Sequence, residues 1–133
     1  LAFKPDTDDM REAPSRVIIA ALLQLGASIV AYDPAAINES KRIFGHNHAG
    51  LTYADMPMAA LDAADALLIV TEWKEFRSPD FQTIKSKLKT PIIFDGRNIF
   101  DLHDDGLKGI EYFGIGRVPT TTREAEVTFE GVA

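Results

Sequence analysis

Apolar residues along this chain fall into short blocks separated by polar, proline- and glycine-bearing breaks, and the blocks alternate between strand-like and helix-like spacing. Ser28-Ile29-Val30-Ala31-Tyr32, Ala66-Leu67-Leu68-Ile69-Val70 and Pro91-Ile92-Ile93-Phe94-Asp95 are compact runs of strand length. The second is apolar throughout, as expected of a central parallel strand covered on both faces. Between Pro14 and Leu25 the spacing predicts a helix with Val17, Ile18, Ala21, Leu22 and Leu25 on one face. Pro14 suits its first turn and Gly26 its stop. A second helix is predicted over about 35–44, closed by Gly45, and a third from about Pro79 to Leu88. Leu51–Tyr53 reads as a short strand, Met58–Ala63 as a short helix and Ile110–Ile115 as an edge strand. From Val118 the pattern fades into polar, threonine-rich sequence. One domain is therefore expected over 1–117, followed by a polar tail or linker over 118–133.

This alternation predicts an α/β protein with a Rossmann-like, doubly wound parallel sheet. Leu1–Phe3 reads as the last residues of the first, central strand, most of which is missing from the sequence. In a 3-2-1-4-5 order its neighbours would then lack a hydrogen-bonding partner, and each buried unpaired backbone group costs roughly 1–3 kcal/mol. The expectation is a piece of a longer chain, poorly stable alone unless another segment or subunit fills the gap.

Composition narrows the chemistry. The 133 residues are 46% hydrophobic and 26% charged, ordinary for a globular domain. No apolar run approaches the ~20 residues of a membrane span, and no signal peptide opens the sequence, so neither a membrane nor an export role is expected. There is no cysteine, hence no disulfide, thiolate metal site or cysteine nucleophile. A formal charge of −6 speaks against nucleic acid as a partner. An anionic ligand would have to be held by a few local cations.

Where a dinucleotide-binding fold carries its glycine-rich first turn, this chain has Phe3-Lys4-Pro5-Asp6-Thr7-Asp8-Asp9-Met10-Arg11-Glu12-Ala13-Pro14-Ser15, without a glycine. Backbone amides cannot close on a pyrophosphate there as they do in GxGxxG. Asp33, at the end of the next strand, could hold a ribose in such a fold, but without the glycines it reads as a turn-forming Asp-Pro. Asp6, Asp8 and Asp9 suit helix capping and pairing with Arg11 better than a metal. His46, His48 and His103 lack further ligands at metal-binding spacing.

Ligands of doubly wound sheets lie at the carboxyl ends of the strands, near the switch in strand order. Thr71-Glu72-Trp73 and Asp95-Gly96-Arg97-Asn98 follow two such strands. Lys4 and Arg97 would then stand two strand spacings apart, about 10 Å, close enough for both side chains to meet over one anion. Gly96 would allow a tight turn and close backbone approach to a ligand. The same residues also fit ordinary surface cations at strand ends.

In length and composition the loop 3–15, followed in order by Thr71-Glu72-Trp73 and Asp95-Gly96-Arg97-Asn98, resembles the C-terminal UDP-binding domain of the UDP-glucose/GDP-mannose dehydrogenase family, nearer its UDP-glucose branch. The resemblance covers 1 to about 117. It implies a parent enzyme that oxidises the C6 hydroxyl of UDP-glucose twice, with two NAD, to give UDP-glucuronate for polysaccharide synthesis. NAD and the catalytic cysteine would belong to preceding domains. For this chain it implies no catalytic residue, and Phe3, Lys4 and Arg97 at the UDP-sugar site. It further implies a cytoplasmic parent that is a homodimer or larger. A stand-alone nucleotide-sensing or partner-binding α/β module, and a sister dehydrogenase of another UDP-sugar, stay open.

Overall fold

The computed structural model describes residues 1–120. Three helices, α1 (Pro14–Gln24), α2 (Ile37–Phe44) and α3 (Phe81–Lys87), alternate with five short strands. The strands are β1 (Ile29–Ala31), β2 (Leu51–Tyr53), β3 (Leu67–Ile69), β4 (Ile92–Asp95) and β5 (Glu111–Gly114). Single 3-10 turns at Met58–Leu61, Lys74–Phe76 and Asp105–Leu107 fill the connections, and the last two were not anticipated from sequence.

Local chemistry accounts for the boundaries. Pro14 stands in the first turn of α1. Beyond α1, Gly26 at φ 85° lets the Gly26 and Ala27 amides reach the Leu23 and Leu22 carbonyls. Asp80 caps α3 by accepting from the Gln82 and Thr83 amides, and Lys85 and Lys87 lie in its last turn, where the helix dipole favours cations.

All strand pairs are parallel, but they form two sheets. β1 pairs with β2, placing Ile29 beside Leu51. β3, β4 and β5 form the other sheet, with Leu67 beside Ile93 and Ile93 beside Tyr112. The break between β1 and β3 falls where the first strand of a 3-2-1-4-5 order belongs. Leu1–Phe3 is not in a strand. A cavity of about 920 Å³ opens there, lined by β1, β3 and α1.

Each half has its own core. Ile69, Ile93 and Tyr112 of the three-stranded sheet pack on Ile84 and Leu88 from α3 and its end, with Phe100, Leu107 and Ile110. Ala31 and Leu51 of the two-stranded sheet pack on Ile19 of α1 and on Ala2, Met10 and Ala13 of the first loop.

Two expectations are corrected. The inward face of α1 is centred on Ser15 and Ile19, while Val17 is 73% and Leu25 83% exposed. Val17–Leu23 is apolar all round, so periodicity cannot fix which side turns inward. The central strand is also not covered on both faces. Leu68 and Phe94 are exposed opposite the α3-packed side, and Phe94 stacks on Phe113 with ring centroids 5.0 Å apart. Of the expected tail, residues 121–133 lie outside the described residues; Thr120 exchanges two backbone hydrogen bonds with Tyr112.

Candidate functional site

The loop before α1 holds its shape without glycine. The Phe3 amide donates to the Asp9 carbonyl at 3.0 Å, and the Ala13 amide to the Met10 carbonyl at 3.1 Å. Asp6 and Glu12 take up the left-handed conformations such a tight path needs, at φ 62° and 55°. Met10 and Ala13 are fully buried and pin the loop to the core. Asp9 forms a bidentate pair with Arg11, Oδ2 lying 2.8 Å from Nη2, and these bonds hold the Asp9 carboxyl down at about 2. Asp9 therefore pairs with Arg11 as expected, but it does not cap α1, whose first turn takes no side-chain cap. Among the described residues, no three His, Asp or Glu side chains gather as a metal site would require.

Two residues beyond the ends of β1 and β3 seat the start of this loop. The Asp33 side chain is wholly buried and accepts from the Ala2 amide at 3.0 Å, the Ala35 and Ala36 amides at 2.8 Å each, and Trp73 Nε1 at 3.3 Å. Leu1's ammonium lies 3.0 Å away. Burial pushes the Asp33 carboxyl up, but the Leu1 ammonium and the Ala2 and Ala35 amides outweigh it and leave it below its ordinary value. From the β3 side, the Thr71 hydroxyl donates to the Ala2 carbonyl at 2.6 Å. Reading Asp33 only as a turn former missed most of this. An acidic residue directly after a strand, beside several unsatisfied loop amides, is the available signal.

The turn after β4 is built around Asp95, only 1% exposed. Its carboxylate accepts from the Arg97, Ile99 and Phe100 amides and from the Tyr112 hydroxyl, the last at 2.6 Å. Burial, then the neighbouring carboxylate, drive the Tyr112 phenol well above its usual range. Asn98, at φ 53°, binds both backbone groups of Ile115 through its side-chain amide. Gly96 also brings this turn close to β3, since a Cβ there would lie 3.1 Å from the Ile69 carbonyl.

This turn presents Arg97 to the first loop. Its Nε donates to the Val70 carbonyl at 3.0 Å, and its Nη2 to the Phe3 carbonyl. Lys4 is exposed, with its ammonium 5.4 Å from the centroid of the Phe3 ring. Phe3 is thus the link between the two cations: its carbonyl holds Arg97 and its ring underlies Lys4. Sequence reasoning expected Arg97 to meet an anion directly. The structure commits two of its donors to backbone carbonyls, making Arg97 a clasp between β3's end and the first loop. A guanidinium has five N–H donors, so this clasp does not exhaust it.

The residues do not fit NAD. The loop is closed on itself by the Phe3–Asp9 bond, and the Asp33 carboxylate that a ribose would need is already filled by four N–H donors.

Residues 1–102 match the model of the UDP-glucose/GDP-mannose dehydrogenase family, UDP binding domain, and the chain belongs to this family. It is 48% identical over 119 residues to the UDP-glucose 6-dehydrogenase of Pseudomonas aeruginosa, a match covering 88% of this chain and 26% of that protein. It is 44% identical over 117 residues to the UDP-glucose 6-dehydrogenase TuaD of Bacillus subtilis, covering 88% and 25%. Among solved structures, the UDP-glucose dehydrogenase of Pyrobaculum islandicum superposes with a TM-score of 0.69 at 28% identity, covering 89% of this chain and 24% of that one. The NDP-N-acetyl-D-galactosaminuronic acid dehydrogenase of Methanosarcina mazei gives a TM-score of 0.69 at 30% identity, covering 86% and 23%. The chain thus spans about a quarter of the length of these relatives. Among the described residues no helix is long and apolar enough to cross a membrane.

Proposed function

We propose that this chain is the UDP-gripping domain of a cytoplasmic, homo-oligomeric UDP-glucose 6-dehydrogenase serving polysaccharide synthesis. The parent enzyme takes the C6 alcohol of UDP-glucose to the aldehyde and then, with one water, to the carboxylate of UDP-glucuronate. Each step passes a hydride to one NAD, held by a different domain. The observation that carries this reading is the Phe3 junction. It sets an exposed ammonium on the first loop beside an anchored guanidinium from the turn after β4, at the carboxyl ends of parallel strands, where a diphosphate is best received. Lys4 supplies a mobile charge to the diphosphate, Phe3 an apolar platform, and Arg97 both the clasp and a fixed positive field. Binding energy from the UDP half then orients the sugar for chemistry elsewhere, so weakening it lowers kcat as well as affinity.

Calorimetric titration with UDP and NAD separately tests the assignment. This chain should bind UDP and leave NAD unbound; the reverse pattern overturns the reading. In the complete enzyme, Lys4→Ala should weaken UDP-sugar binding roughly 10- to 100-fold. Unchanged affinity would remove Lys4 from the site. A second reading, a sister enzyme acting on another nucleotide sugar, is favoured by the likeness to the Methanosarcina mazei protein, and turnover of a panel of UDP-sugars separates the two.

A further inference from the structure

Past the end of β4, one side chain continues the sheet where the backbone has left it. Successive residues of a strand send their backbone groups to opposite sides. The Glu111 amide donates to the Pro91 carbonyl, while Tyr112 turns its amide and carbonyl to Thr120. Glu111, Phe113 and Ile115 therefore face β4. The β4-β5 ladder stops at the pair Asp95 and Gly114, one residue short of Ile115. Asn98 takes up what is left over. Its Oδ1 accepts from the Ile115 amide and its Nδ2 donates to the Ile115 carbonyl, both at 2.8 Å. A side-chain amide carries a donor and an acceptor as a peptide group does, so Asn98 adds one rung to the ladder. An aspartate would offer two acceptors and no donor.

The surroundings are shaped to this rung. Asn98 is left-handed at φ 53°, a conformation that asparagine adopts more readily than most residues. Gly114 leaves it room, since a Cβ there would lie 2.7 Å from Asn98 Oδ1 and 2.7 Å from Arg117 Cδ. Arg117 closes the same corner, its Nη1 donating to the Phe100 carbonyl at 2.6 Å and to the Tyr112 hydroxyl at 3.1 Å. Arg97 is the residue directly before the rung. Its amide donates to Asp95 Oδ1, and its guanidinium meets the Val70 and Phe3 carbonyls together. A planar fork reaches two fixed acceptors only from a narrow range of backbone positions. Asp95 restrains the turn before Arg97, and Asn98 restrains it after.

We propose that Asn98 is a positioning residue of the UDP site. By tying the turn after β4 to the exit of β5, it holds Arg97 where the guanidinium clasps Phe3 and keeps its remaining donors toward the diphosphate. Asn98 acts through Arg97 and touches no ligand itself. The inference rests on the reading of Phe3, Lys4 and Arg97 as that site.

The test is a double-substitution cycle in the complete enzyme, read by calorimetric titration with UDP and by thermal unfolding. Asn98→Gly is the informative change, because glycine takes up φ 53° without strain and removes only the rung. It should weaken UDP binding about tenfold, with the melting midpoint falling by no more than about 5 °C. In an Arg97→Ala background the same change should alter UDP affinity by less than about twofold, because the group it positions is gone. Equal loss in both backgrounds would mark a merely structural role and overturn the proposal. UDP binding by Asn98→Gly as tight as that of the unsubstituted enzyme would overturn it too, as would collapse of the fold on removing the rung. Absence of UDP binding by the unsubstituted enzyme, or full affinity in Arg97→Ala alone, would instead overturn the reading of the site, and this proposal with it.

Discussion

The two halves of this molecule are built to different standards. The β3-β4-β5 half closes a core around Ile93 and Tyr112, both at 0% exposure, from its own strands, α3 and the loop after β4. The β1-β2 half has two strands of three residues each and completes its core with Ala2, Met10 and Ala13 from the first loop. The better-packed half therefore supplies a platform, while the weaker half is stabilised by the very segment that carries Phe3 and Lys4. The proposed ligand site and the core are one structure on that side, so changes to either should register in both.

Ile93→Ala should sharpen this contrast most. It opens a cavity in the centre of the stronger sheet and should cost about 2–5 kcal/mol, a large part of a typical domain's stability, as read by chemical unfolding. Asp33→Asn comes next. Whichever way the amide lies, donors that now meet a carboxylate oxygen would face an NH₂ group. A loss of about 2–3 kcal/mol is expected, together with weaker UDP binding, because Ala2 and Phe3 lose their seat. Stability loss with UDP affinity intact would break the proposed coupling.

The same position carries a pH signature. The Asp33 carboxyl is depressed in the folded chain, so its contribution is present above the unfolded value of 3.8 and is lost as pH falls through the folded value. Acid unfolding of the unsubstituted 133-residue chain should show this loss, and Asp33→Asn should lack it. Tyr112→Phe removes one of four donors to Asp95 and should cost about 1–2 kcal/mol, leaving UDP affinity nearly unchanged. Arg11→Ala, which breaks an exposed pair with Asp9, should leave the melting midpoint essentially where it was.

Much of the architecture was legible because strand-length apolar runs and glycine or proline punctuation mark its elements directly. Leu51–Tyr53 was read to the residue, and β3, β4 and β5 each fell inside the predicted run. The break between sheets followed from counting strands against the fold. What escaped depends on neighbours. The inward face of α1 is set by how the Met10–Ala13 turn delivers the helix, and an all-apolar stretch carries no trace of that choice. Lys4 and Arg97 do lie on either side of Phe3, since topology brings the first loop and the turn after β4 together. That Arg97 would hold carbonyls of Val70 and Phe3 could not be read, because any strand-end arginine has the same local sequence whether it grips backbone or anion. Asp33 and Asp95 are parallel cases: each looks like a turn residue and each gathers amides from far along the chain.

The bond from Arg97 to the Phe3 carbonyl spans 94 positions. Forming such a contact costs the closure entropy of the long loop between its ends. A nascent chain still threaded through the ribosome at residue 90 would have the lysine but not its latch. The clasp on the first loop is thereby available only to a polypeptide whose synthesis has passed the fourth strand.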